Sequence, residues 1–96
     1  MAVPKLSAKL NAVIVDVIRE QRSKLSLSKK KLAATAGISR TAIILMEAQK
    51  RSPSLDLVVR LSMSMGVSFS SVVAKAEKRL ARKLSKSDEV KADPKK

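Results

Sequence analysis

The chain contains no cysteine and no histidine. Disulfides, zinc sites built from the usual sulfur and imidazole ligands, thiol nucleophiles and imidazole catalysis are thereby excluded, and the interior has to be held by ordinary packing. Aromatic residues are almost missing as well. Phe69 is the single one in 96 residues, so the chain lacks the stacking platforms on which unpaired bases are held. No apolar run approaches the ~18 residues of a membrane span. The N-terminus shows neither the apolar stretch nor the small-residue cleavage site of a secretion signal. The expectation is a soluble cytoplasmic protein, bacterial or carried by a phage or plasmid, with no membrane partner.

Negative charge is also scarce, since 8 Asp and Glu stand against 21 Lys and Arg for a net charge of +13. A chain so charged seeks polyanions, and nucleic acid comes first because phosphate contacts release condensed counterions. An acidic protein or an anionic membrane surface would feel the same field, so charge by itself does not choose. The near absence of aromatics favours double-stranded DNA over unpaired strands. The few carboxylates are scattered, no nucleophile and base stand at a working spacing, and the serines mostly precede apolar-periodic stretches. These features argue against an enzyme and against any cofactor or metal.

What is present is helical periodicity. Leu6, Leu10, Val13, Ile14, Val17, Ile18 and Leu25 recur at three and four residues, which predicts an amphipathic helix over about Ser7 to Lys24 with Pro4 just ahead of it. Ser28 caps a second helix, about Lys29 to Ala36, and Gly37 suits the left-handed position that closes it. Ser39 caps a third, from Arg40 to about Gln49, with Ala42, Ile43 and Met46 facing inward. After the polar break "KRSPSLD", Ser54 caps a fourth, Leu55 to Met65, with Leu55, Val58, Leu61 and Met65 at core spacing, and Gly66 ends it. A fifth follows Ser68 and carries Phe69, Val72, Val73, Ala76, Leu80 and Leu84 to about Lys83. Beyond Ser85 the periodicity stops, and "KSDEVKADPKK" reads as a disordered basic tail.

Strand patterns are absent, so the fold class is all-α: one compact five-helix domain over residues 1–84, with a disordered C-terminal tail over 85–96. Two short helices joined by a glycine turn, about residues 28–49, form a helix-turn-helix, whose second helix enters the DNA major groove by its N-terminal end. Arg40 and Thr41 lie on that first turn. Arg bonds guanine O6 and N7 bidentately, and Thr offers a hydroxyl and a methyl.

From about Leu10 to Val73 the chain resembles the Xre family of helix-turn-helix regulators, the group containing phage Cro and the lambda-type repressors. The resemblance is carried by "LSLSKKKLA", "AGISRTAIILME", "SPSLD" and "MGVSFSSVV" in that order. It implies a lambda-repressor-like DNA-binding domain in which Arg40, Thr41 and Leu45 read bases. It also implies that Ser28, Lys29, Ser39, Lys50 and Arg51 hold phosphates, consistent with helix N-termini and exposed cations as phosphate donors. Arg22 and Glu47 fall where family members place an ion pair between the first helix and the end of the third.

Three departures stand out. Lys29, Lys30 and Lys31 occupy positions where the family usually has Gln or Glu, which attracts phosphate but opposes the helix dipole. Gln49 replaces the usual Gly after the third helix, so the turn there is expected to be made differently. Leu45 is apolar on a face that is often polar, and either touches a thymine methyl or packs at the core edge; Ile44 has no evident base or phosphate role.

The function implied is sequence-specific regulation of transcription, most simply by a dimeric repressor on an inverted-repeat operator, since one helix reads only a few base pairs. Val72, Val73, Ala76 and Leu80 of the fifth helix are the candidate homodimer interface. Two alternatives stay open: the antitoxin of a toxin–antitoxin pair, binding both promoter and toxin, and a non-specific architectural DNA binder.

Overall fold

The computed structural model describes residues 2–92, with side chains described for residues 2–85. Five helices follow one another: α1 (Val3–Lys24), α2 (Lys29–Ala36), α3 (Arg40–Glu47), α4 (Leu55–Ser64) and α5 (Phe69–Ala92). Each contributes a side chain with no residual exposure, namely Ile18, Leu32, Ile43, Leu61 and Ala76, all at 0%. The five helices therefore share one core. Helix α1 packs on α5 and on α3, while α2 packs on α3 and α4, and α4 on α5. Among the described residues no single helix is long and apolar enough to cross a membrane.

Local sequence chemistry sets most of the boundaries. Ser28, Ser39, Ser54 and Ser68 each accept a hydrogen bond from the backbone N–H three residues on, satisfying a donor the helix itself cannot. Helix α1 is the exception, for it starts earlier than Ser7, at Val3, with Pro4 inside its first turn and no side-chain cap. Proline is at home there because its missing N–H would have had no partner. At the other end, the α5 backbone stays helical to Ala92, past the last apolar repeat near Lys83. No glycine or proline interrupts the sequence between Phe69 and Pro94. Residues 93–96 of the expected disordered tail lie outside the described residues.

Four connections close their helices with one hydrogen-bond pattern. A residue in the left-handed region donates to the carbonyl three back, and the residue after it to the carbonyl five back. The left-handed residues are Ser26 (φ 56°), Gly37 (φ 70°), Gln49 (φ 61°) and Gly66 (φ 72°). After three of them come Leu27, Ile38 and Val67, each half-buried against the core, followed at once by the capping serine of the next helix. The connection from α3 to α4 is longer, and after Gln49 it carries Lys50, which is exposed.

Several core expectations are corrected. Leu25 and Leu55, at core spacing in the sequence, are 44% and 69% exposed. Each lies at a helix end, where the apolar stripe has already turned past its neighbour. Ser62 is fully buried instead, its Oγ donating to the Val58 carbonyl at 2.8 Å. Val15 is buried on a second side of α1, under the connection carrying Gln49, Ser52 and Pro53.

Candidate nucleic-acid interface

The stretch from Ser28 to Leu55 contains a single carboxylate, Glu47. Its side chain is 5% exposed and fully engaged. Arg22 Nε donates to one carboxylate oxygen at 2.7 Å and Nη2 to the other at 2.9 Å, while Nη1 reaches the Leu27 carbonyl at 2.8 Å. One guanidinium thus ties α1 both to the end of α3 and to the turn that leads into α2. The hydrogen bonds to Glu47 raise the Arg22 pKa above its ordinary value, against a smaller opposing effect of burial. A paired fork of this kind is geometrically specific, and loss of either partner would strand the other.

Carboxylates sort the arginines of the whole body. Arg19 pairs with Asp16, Arg60 with Asp56 at 2.9 Å, and Arg79 with Glu20. Among the described residues Arg40, Arg51 and Arg82 pair with none. The first two lie on the surface formed by α2, α3 and the connection after α3, together with exposed Lys30, Lys31 and Lys50. Exposed, unpaired cations with no free carboxylate on the same elements are what phosphate requires.

Helix α3 presents a defined outer face. Arg40 and Thr41 are exposed on its first turn, which Ser39 caps through the Ala42 N–H at 3.1 Å. Ile44 follows Arg40 by four residues, is 38% exposed, and so lies on the same side one turn on. Leu45 is half-buried at the edge of that face. Sequence reasoning left Ile44 without a base or phosphate role; the spacing 40, 44, 48 along the outer side was the signal that marks it. On the inner side, Ile43 and Met46 are sunk in the core at 0% and 1% exposure, which fixes how the outer side points.

The flanking residues are placed by caps and turns. Ser28 is exposed at the start of α2, its Oγ accepting from the Lys31 N–H at 3.0 Å, beside half-buried Lys29. Gln49 takes the left-handed conformation that a glycine would take, with its N–H bonded to the Met46 carbonyl and that of Lys50 to the Leu45 carbonyl, both at 2.9 Å. The turn is therefore the ordinary one, contrary to the expectation of a different turn. The Gln49 side chain bonds the Ala12 carbonyl of α1 at 3.1 Å, which offsets part of the left-handed cost. Lys50 and Arg51 are exposed beyond it.

Residues 18–72, more than half of the chain, match the family model described as Helix-turn-helix. The chain belongs to the Xre-type helix-turn-helix family. Over 50 residues this helix-turn-helix protein is 40% identical to an uncharacterized HTH-type transcriptional regulator of Methanothermobacter thermautotrophicus, covering 52% of this chain and 72% of that one. Its fold is similar to that of the clp gene regulator ClgR from Corynebacterium glutamicum, with a TM-score of 0.74 at 18% identity over 86% of this chain and 88% of that one. Family and fold are those of DNA-binding transcriptional regulators.

The interface expected on α5 is changed by the structure. Val72 and Ala76 are 3% and 0% exposed within the protomer's own core, so they have no surface to offer a second copy. Val73 and Leu80 are half-buried, as is Leu84, and seven- and four-residue steps put the three on one flank.

Proposed function

We propose that this regulator is a dimeric repressor that reads an inverted-repeat operator by inserting α3 into the major groove. The carrying observation is the outer face of α3, where an unpaired, exposed Arg40 stands beside Thr41 on a capped first turn within a surface that has no free carboxylate. Arg40 would take guanine, Thr41 an adjacent base edge, and Leu45 or the more exposed Ile44 a thymine methyl. Ser28, Lys29, Ser39, Lys50 and Arg51 would hold phosphates on either side, fixing the register. Val73 and Leu80 would meet their copies across the dimer axis, setting two reading helices about 34 Å apart.

Selection from a pool of random duplexes tests this directly: an inverted repeat with half-sites about 10 base pairs apart is the expected product. Replacing Arg40 with Ala should then cost about 1–3 kcal/mol on the selected site and relax its discrimination. Equal losses on selected and random DNA would remove Arg40 from base reading, and a pool without any motif would favour the architectural reading. A second reading, the antitoxin, is favoured by one observation, the exposed Leu55 and Met63 on α4, at 69% and 73%. They lie eight residues apart on one side of that helix, and co-purification of a small partner that α4 variants release would support it.

A further inference from the structure

The reading surface leaves a second concentration of charge unexplained. Lys75, Lys78, Arg82 and Lys83 are exposed along α5 and line an open groove on one of its sides, with Ser71 and Ala74 as its uncharged lining. Among the described residues none of these four cations meets a carboxylate, whereas Arg79 between them is tied to Glu20 of α1, one of its bonds measuring 2.9 Å. We propose that this flank of α5 is a second DNA-contacting surface that grips the phosphate backbone of duplex without sequence preference. The proposal rests on the DNA-reading function above.

Three features make a merely solvated face a poor account of the flank. Lys75 and Lys78, and then Lys78 and Arg82, stand three and four residues apart, so like charges are stacked along one side of a helix at a cost in stability. Glu77, the one carboxylate among the described α5 side chains, is three or four residues from none of them and relieves none of that repulsion. The cations also lie in the middle of a helix that runs to Ala92, away from the last turn where the macrodipole would account for them.

The chemistry of the flank selects its occupant. A protein interface needs a large apolar or aromatic anchor at its centre, and an interfacial membrane helix needs a broad apolar side; Ser71 and Ala74 provide neither. A phosphate backbone needs only cations at the right reach. From Lys75 to Lys83 the helix rises about 12 Å, which at about 3.4 Å of axis per phosphate on one strand faces roughly three or four phosphates. Helix α5 packs on α1 and α4, while α3 packs on α2 and α1, so reading and gripping are assigned to different elements. Val72 and Ala76, sunk in the core at 3% and 0% exposure, set the direction in which the flank faces.

The test compares two full-length variants with the same loss of charge. In one, Lys75, Lys78 and Arg82 become Gln; in the other, Lys5, Lys9 and Lys24 of the α1 region become Gln. Binding to a mixed-sequence duplex is measured over a range of salt, with circular dichroism confirming the helical fold of both. The α5 variant should lower the slope of log affinity against log salt by about two to three, and the α1 variant by less than one. Both should keep the wild-type ratio between selected and random duplex, which Arg40→Ala should lose. Equal slopes in the two variants, or an unchanged slope in the α5 variant, would overturn the proposal and return the flank to a solvated face or an acidic protein partner. Should the wild type show no sequence preference at all, the reading function fails by itself, because the slopes are measured on mixed sequence and decide the flank independently.

Discussion

Three of the four helix connections are built alike, and the fourth is not. At residues 26–28, 37–39 and 66–68 a left-handed residue, an apolar anchor and a capping serine follow one another, and the chain changes direction in the least possible length. After α3 the same hydrogen bonds close the helix, but Lys50 stands where Leu27, Ile38 and Val67 stand in the others, and the path to Ser54 is longer. The anchor that would have gone into the core is replaced by charge held in water. A local rule obeyed three times and broken once marks the place where the chain serves something other than its own stability. That place is the edge of the surface proposed to meet DNA.

The largest effect on this arrangement should come from Glu47→Ala, because the Arg22 fork joins one of the short connections to the end of α3. Stranding a partly buried guanidinium should cost about 3 kcal/mol in a denaturant titration, and a loss below about 1 would show that the pair is solvated after all. Next comes Gly37→Ala. An added Cβ would meet only Arg60 Nη1, at 3.7 Å, so the penalty is one of backbone conformation and should reach about 1–2 kcal/mol. The two left-handed positions without glycine sharpen the contrast further. Ser26→Gly should stabilise by about 0.5–1 kcal/mol, whereas Gln49→Gly should gain less, since it forfeits the bond to the Ala12 carbonyl. Equal gains at both would mean that the Gln49 side chain holds nothing.

The smallest effect concerns pH. Glu20 is held below the ordinary carboxylate range, chiefly by its hydrogen bonds from Arg79. Because its folded pKa is depressed, the stability it contributes is complete above the unfolded value and disappears as pH falls through the folded one. Glu20→Gln should therefore lower stability slightly at neutral pH, converge with the wild type at the acid end, and so flatten the profile between them, the small size being in keeping with a side chain 45% exposed. A mutant that loses as much stability at neutral pH as Glu47→Ala would contradict that ranking.

Much of this was legible in the sequence because it is local chemistry. A serine before an apolar repeat caps a helix whatever the rest of the molecule does, so Ser28, Ser39, Ser54 and Ser68 could be placed without a structure. The start of α1 could have been read from the preference of proline for the first turn, which points to Pro4 being inside the helix. Other features depend on what lies across the core. Val15 is buried because a distant connection covers a second side of α1, and no one-face stripe reports that. Leu25 and Leu55 satisfy the repeat yet project beyond the ends of their neighbours. Gln49 hides a left-handed turn, since only glycine advertises one. On α3 the spacing found Arg40 and Thr41, but Ile44 needed the inner face to be fixed by Ile43 and Met46 before its outward position meant anything.

The short joints also govern the order in which the molecule assembles. Helices α2, α3 and α4 meet near neighbours in the chain, and closing such small loops is fast and entropically cheap. The packing of α1 on α5 instead joins opposite ends of the domain. During synthesis α2 and α3 have their partners as soon as Ser64 is made, while the sides of α1 and α4 that pack on α5 still await the last helix. A chain stopped before Phe69 should therefore expose that part of α1 and bind hydrophobic dyes, with α2 and α3 already formed.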